Sequence, residues 1–269
     1  MKSSLLLVRA ALLVLVFAFV APDTRAGSSE NSAVGVEKFG DQAIREFALR
    51  INDELDQRKV NAAIIARAGR PRSQLPDGIS YTHVAFVVFE PVRAPDGSTF
   101  QTYTVYNLYQ GEDGRPDRSY LKQDLTYDFV AGVLEKDVAI CVPDEKLQQR
   151  LIEVIRSPAY RQLHNADYNL VTNPWVDRYD NCVTHTLKVT VAAIYGTDDR
   201  QRIYENIRSY FKPTPVRLGP VQTLGSSFMK AVSREDMDRS GLQTASYDSL
   251  KTFLASNGLM KEEFKMAVR

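Results

Sequence analysis

At 269 residues the chain has room for one large domain or two small ones, and an apolar share of 44% is enough to bury a core. Its 34 Lys and Arg and 33 Asp and Glu are interspersed, with no basic stripe or polybasic cluster, which argues against a nucleic-acid partner and against docking on an anionic membrane. Only two cysteines and three histidines are present, so few side chains are available for nucleophilic or metal chemistry.

In chain order, Lys2 and Arg9 flank the start of an almost wholly apolar run from Ala10 to Ala21, followed by Pro22 and Thr24-Arg25-Ala26. This is the pattern of a secretory signal peptide, residues 1–26, cleaved after Ala26. The run is shorter than the roughly 20 residues of a spanning helix, so no membrane span is expected after cleavage. No cysteine follows the cleavage site to take a lipid. The expected location is therefore outside the cytoplasm, in a periplasm.

Residues 27–40 are small and polar and read as a flexible lead-in. Residues 41–58 predict an amphipathic helix with Ile44, Phe47, Ala48, Ile51 and Leu55 on one face. A short strand is expected over 62–66, then a loop over 69–78. The β-branched run Tyr81 to Phe89, which carries His83, reads as a buried strand bounded by Pro91. Residues 94–98 form a turn before a second strand over 102–109, and 111–117 read as a loop. Residues 124–133 stay open between a short helix and irregular structure. A strand over 137–142 carries Cys141, and a helix with Leu147, Leu151, Ile152 and Ile155 on one face follows, ended or interrupted by Pro158.

Residues 168–196 hold the most chemistry. An alternating apolar segment leads through Asn173-Pro174-Trp175 to Asp180-Asn181-Cys182 and then an apolar helix ending at Gly196. A helix starting near Asp199 buries Ile203, Tyr204, Ile207 and Phe211. Residues 216–224, with Gly219 and Pro220, are at most a broken edge strand. A last helix over 244–256 turns Leu250, Phe253 and Leu254 inward and stops at Asn257-Gly258. The whole reads as one α+β domain over 41–212 with a helical C-terminal extension, 213–269, packed on it.

Asn181 or Asp180 suits an N-cap, which puts Cys182 in the first helical turn, where unpaired amides favour a thiolate. His83, on a strand, is the candidate base. If the two strands after it pair about the 94–98 turn, His83 lies opposite residues near Asn107 to Gln110. Asn107 is then the first candidate to orient the imidazole and Gln110 the second. His185, three positions after Cys182, is expected to pack or to touch substrate. Trp175 is expected to cap the core, with a substrate wall as the other reading. His164 reads as a solvated loop residue. Cys182, His185, His83 and Cys141 would suit zinc by type, but no Cys-x-x-Cys pair supports a metal site and none is expected.

The order histidine before cysteine, with Thr82-His83-Val84-Ala85-Phe86 and Asn181-Cys182-x-x-His185-Thr186, resembles the circularly permuted papain-like families, among them the lecithin retinol acyltransferases and NlpC-like bacterial proteins. Val183 stands where that pattern commonly has an acidic residue. Arg70-Pro-Arg-Ser-Gln-Leu-Pro76, Tyr106-Asn-Leu-Tyr-Gln110 and Asn173-Pro174 are similar to an uncharacterised bacterial secreted family, domain of unknown function 2145, a likeness that implies no activity. The first resemblance implies a permuted papain-like antiparallel sheet with packed helices. It also implies a thiol hydrolase or acyltransferase with Cys182 as nucleophile, His83 as base and Asn107 as orienting residue. No cofactor is implied. Export makes cell-wall peptides and acylated proteins the expected substrates. The rival expectation is a non-catalytic binding or scaffold domain in which Cys182 is buried or bonded to Cys141.

Overall fold

The computed structural model describes residues 33–217, 235 and 241–269. The proposed signal segment and most of 218–240 lie outside the described residues.

Six antiparallel strands form one sheet in the order β4-β3-β2-β1-β5-β8: β1 Ala62–Arg67, β2 His83–Arg93, β3 Thr99–Gln110, β4 Ser119–Leu125, β5 Asp137–Pro143 and β8 Met260–Ala267. A two-stranded ribbon pairs β6 Thr214–Pro215 with β7 Gln243–Thr244. Helices cover both faces of the sheet, so the fold is mixed α+β in three layers. On one face α1 Val34–Phe39, α2 Asp41–Gln57 and α3 Thr126–Ala131 pack on Ala63, Ile65, Ala85, Val87 and Val105. The other face carries α4 Glu145–Arg156, α6 Cys182–Tyr195, α7 Arg200–Tyr210 and α8 Tyr247–Ser256, over Ile64, Ala66, Val84, Phe86 and Leu108. A single turn, α5 Ala159–Gln162, follows α4. The alternation of strand side chains sorts the two cores, even-numbered residues of β1 and β2 to one side and odd-numbered residues to the other.

Helix α6 is the centre of its layer. Every residue from Cys182 to Ala193 is buried, as expected for a helix apolar all round. Asn181 caps it, its Oδ1 accepting the Thr184 N–H at 2.9 Å. Gly196 ends it with φ 61°, a left-handed conformation that glycine adopts without steric cost.

Several expectations are corrected. The lead-in is not irregular throughout, because Val34–Phe39 forms α1 and docks Val36 and Phe39 on the core beneath α2. Pro91 does not bound β2, which runs on to Arg93. The pairing of β1 with β2 ends at Ala62 opposite Val88, so beyond it one side of β2 has no strand to receive an N–H. The alternating apolar segment after Tyr168 forms no regular element. It makes one isolated bridge, Tyr168 to Asp180, and is otherwise irregular. The C-terminal extension is not purely helical, since it ends in β8, which completes the sheet beside β5. Met260-Lys-Glu-Glu-Phe-Lys-Met-Ala267 is built mostly of good helix formers, and its half-exposed edge position leaves only a faint alternation to read.

Candidate functional site

His83 opens β2 and is completely buried. Its ring lies between Tyr109, stacked at 5.2 Å and 15°, and Phe129 of α3 at 5.5 Å and 30°. Nε2 meets Asn107 Oδ1 at 3.0 Å. The Asn107 oxygen only accepts, so Nε2 carries the proton and Nδ1 keeps its lone pair. Nδ1 has no hydrogen-bond partner. Burial and the Arg67 guanidinium, its neighbour across β1, push the imidazole down to about 3, with the Asn107 bond pulling the other way. His83 is therefore neutral at physiological pH.

The network continues across β3 to β4. Asn107 Nδ2 donates to Val105 O at 3.2 Å and to Asp124 Oδ2 at 3.0 Å. Tyr109 OH donates to the same carboxylate oxygen at 2.8 Å, and Lys122 Nζ is 3.1 Å from Oδ1. Asn107 is fully buried and Asp124 nearly so. Register explains the gathering. Phe86 pairs with Tyr106 and Val105 with Asp124, so the odd-numbered side chains of β2 and β3 share one face with Asp124 beside them. Gln110 is even-numbered, points the other way, and donates to Pro116 O at 2.7 Å instead. The structure brings His83 and Asn107 together and leaves Gln110 outside.

Cys182 is the first residue of α6 and is a free thiol, as is Cys141, so the alternative disulfide is not formed. Its Sγ lies 3.9 Å from Thr82 O, against the main chain next to His83. No hydrogen bond joins Sγ to the His83 ring, whose Nδ1 is unpartnered, and the two side chains belong to opposite layers: His83 faces Phe129 and α3, Cys182 the core under α6. The side chain is 3% exposed. Burial pushes the thiol up to about 11, although the N–H groups of Val84, Val183 and Cys182 and the Arg67 guanidinium pull it down. The helix start acts in the expected direction, and desolvation outweighs it. Cys141, inside β5, is pushed up to about 12 by burial.

The remaining expected residues sit apart from this network. His185 is buried on α6 with its ring edge-on to Tyr160 at 4.9 Å, and neither ring nitrogen has a partner. Trp175 donates from Nε1 to Phe211 O at 3.4 Å and packs on the core, tying its loop to the end of α7. His164 is not a solvated loop residue. It is partly buried with Nε2 3.0 Å from Ser119 Oγ, and burial lowers it to about 4. Sequence reasoning missed Asp124, since β4 lies at a sheet edge where half-exposed residues give no clear alternation. Among the described residues no three His, Cys, Asp or Glu side chains group to hold a metal ion, and no helix is long and apolar enough to cross a membrane.

No curated protein and no solved structure matches the chain. The model of a family described as an uncharacterised protein conserved in bacteria, DUF2145, matches residues 54–254, which include the His83, Asn107, Asp124 and Cys182 positions. With three quarters of its length matched, the chain belongs to the DUF2145 family of conserved bacterial proteins.

Proposed function

We propose that the protein is an exported thiol hydrolase or acyltransferase acting on an amide, ester or thioester, on a permuted papain-like scaffold. The observation that carries this reading is the bare Nδ1 of a His83 whose Nε2 is held by Asn107, beside the main chain that Cys182 Sγ touches. In the resting state both thiol and imidazole are neutral. The step this reading requires brings the Cys182 side chain from the α6 layer to the His83 ring, so that the proton passes from sulfur to His83 Nδ1, against their resting order of acidity, as sulfur bonds to the carbonyl carbon. The bond to the leaving group breaks, and the imidazolium returns the proton to that group. Water, or an acceptor amine or alcohol, then attacks the acyl carbon as His83 takes its proton, the bond to Cys182 sulfur breaks, and the imidazolium returns that proton to the thiolate. In this reading the Cys182 N–H at the helix start would hold the oxyanion. This chemistry needs no metal or cofactor. A periplasmic setting, proposed from residues 1–26, makes cell-wall peptides and acylated proteins the substrates to try.

A second reading is favoured by one observation. Cys182 is 3% exposed and its thiol is pushed up to about 11, as suits a packed side chain in a binding or scaffold domain. The test is incubation of the full chain with activated esters and thioesters, followed by mass spectrometry. The enzyme reading expects an acyl adduct on Cys182 that is lost in His83→Gln and weakened in Asn107→Ala. Absence of any adduct with the folded wild type would favour the scaffold.

A further inference from the structure

We propose that Asp124 is the positioning residue for His83: by accepting the NH2 of Asn107 it turns the Asn107 carbonyl to the ring and holds the tautomer protonated at Nε2. The inference deepens the reading of His83 as general base and gains its catalytic meaning from it. Its own content, the tautomer and its cause, stands on geometry.

An asparagine has two unlike ends, and whichever faces an imidazole selects the tautomer. A carboxylate only accepts, so the Asn107 end 3.0 Å from Asp124 Oδ2 must be Nδ2. Oδ1 is then left for His83 Nε2, at 3.0 Å. Asp124 is itself fixed, by Tyr109 OH at 2.8 Å and Lys122 Nζ at 3.1 Å. Tyr109 also stacks on the imidazole, so one side chain steadies both ends of the chain of bonds. Val105 O competes for the credit, because it accepts from Nδ2 as well. That bond is longer, 3.2 Å, and goes to a neutral carbonyl, whereas a bond to a charged acceptor is roughly twice as strong as a neutral one. With the amide reversed, Nε2 would have to accept, and the proton would move to Nδ1, removing the lone pair a general base needs.

The test is nuclear magnetic resonance on the full chain labelled with nitrogen-15, reading the ring nitrogens of His83 at neutral pH. In the wild type, Nε2 is expected to be the protonated nitrogen and Nδ1 the bare one. An Nδ1–H form in the wild type overturns the proposal without any variant, so it stays testable even if a substitution fails to fold. In Asp124→Asn the new amide can offer its own NH2 to Asn107, and the exclusive Nε2–H signature is expected to be lost. Tyr109→Phe, which keeps the carboxylate, is expected to retain it. A folded Asp124→Asn that remains wholly Nε2–H would assign the role to the Val105 carbonyl and overturn the proposal. Acylation of Cys182 is read separately, so an inactive wild type with the expected tautomer would refute the enzyme reading and leave this inference standing.

Discussion

Lys188 Nζ and Asp180 Oδ2 meet at 2.8 Å with both side chains completely inaccessible to solvent. The pair bolts the loop that ends at Asn181 to the second turn of α6. Asp180 Oδ2 also accepts the Asn165 N–H at 2.8 Å, so one carboxylate secures both ends of the loop from 165 to 180. Burial pushes the Asp180 carboxyl up, and Lys188 pulls it back. Removing one partner strands a buried charge. Lys188→Met is expected to cost about 3–5 kcal/mol in urea unfolding, and Lys188→Met with Asp180→Leu is expected to regain part of that loss. A single variant as stable as the wild type would show that the pair does not hold the loop.

The three histidines set an acid limit. Burial lowers His83 to about 3, His164 to about 4 and His185 well below 6.5. An imidazole whose folded pKa lies under its unfolded value contributes stability in full above 6.5 and loses it as pH falls, because the unfolded chain takes a proton the folded one refuses. Stability is expected to fall as pH drops below 6.5 and to go on falling to about pH 4 for His164 and about pH 3 for His83, by up to about 1.4 kcal/mol per pH unit for each histidine. His185→Gln should reduce the slope by one such share. Chemical denaturation at stepped pH reads this directly, and an unchanged slope would refute it.

Gly132 leaves the space that Arg67 fills. A Cβ built there would lie 1.6 Å from Arg67 Nη1 and 2.3 Å from Cζ. Arg67 is fully buried, donates to Phe129 O at 2.5 Å and lies over the Phe129 ring. Gly132→Ala is expected to lose at least the 1–3 kcal/mol usual for overpacking, roughly estimated, and to disturb the Phe129 face on which His83 stacks. A melting temperature unchanged from the wild type would contradict this.

The cap of α6 invites a milder experiment. Asn181→Ala removes the acceptor for Thr184 N–H and the donor to Leu170 O. A loss of about 1 kcal/mol is expected. Asn181→Asp keeps the acceptor and should recover most of it, as thermal unfolding would show.

Much of this arrangement was legible in the chain. The periodic faces of α2, α4 and α7 are buried where spacing put them, because each lies on a core with one wet side. The 94–98 turn aligned β2 with β3 closely enough to nominate Asn107 for His83. The burial of Cys182 was not legible, because a helix-capping motif reports the local amides and says nothing of the chain folded over them. Asp124 and β8 were not legible either. Both belong to outer strands, where pairing with a neighbour far along the chain decides the conformation and local preference does not.

The position of β8 gives the last residues of the chain a protective task. They cover the main-chain donors and acceptors along β5, with Val268 N–H reaching Lys136 O at 2.8 Å and Arg50 Nη2 holding Ala267 O at 2.9 Å. A chain cut before Met260 would bare β5, a run of Val138, Ala139, Ile140, Cys141 and Val142 in which every side chain is buried. Such an apolar ribbon recruits a strand from another molecule. The charged outer strand, with Lys261, Glu262, Glu263 and Lys265, thus serves as a selvedge that keeps each copy from fraying into its neighbour.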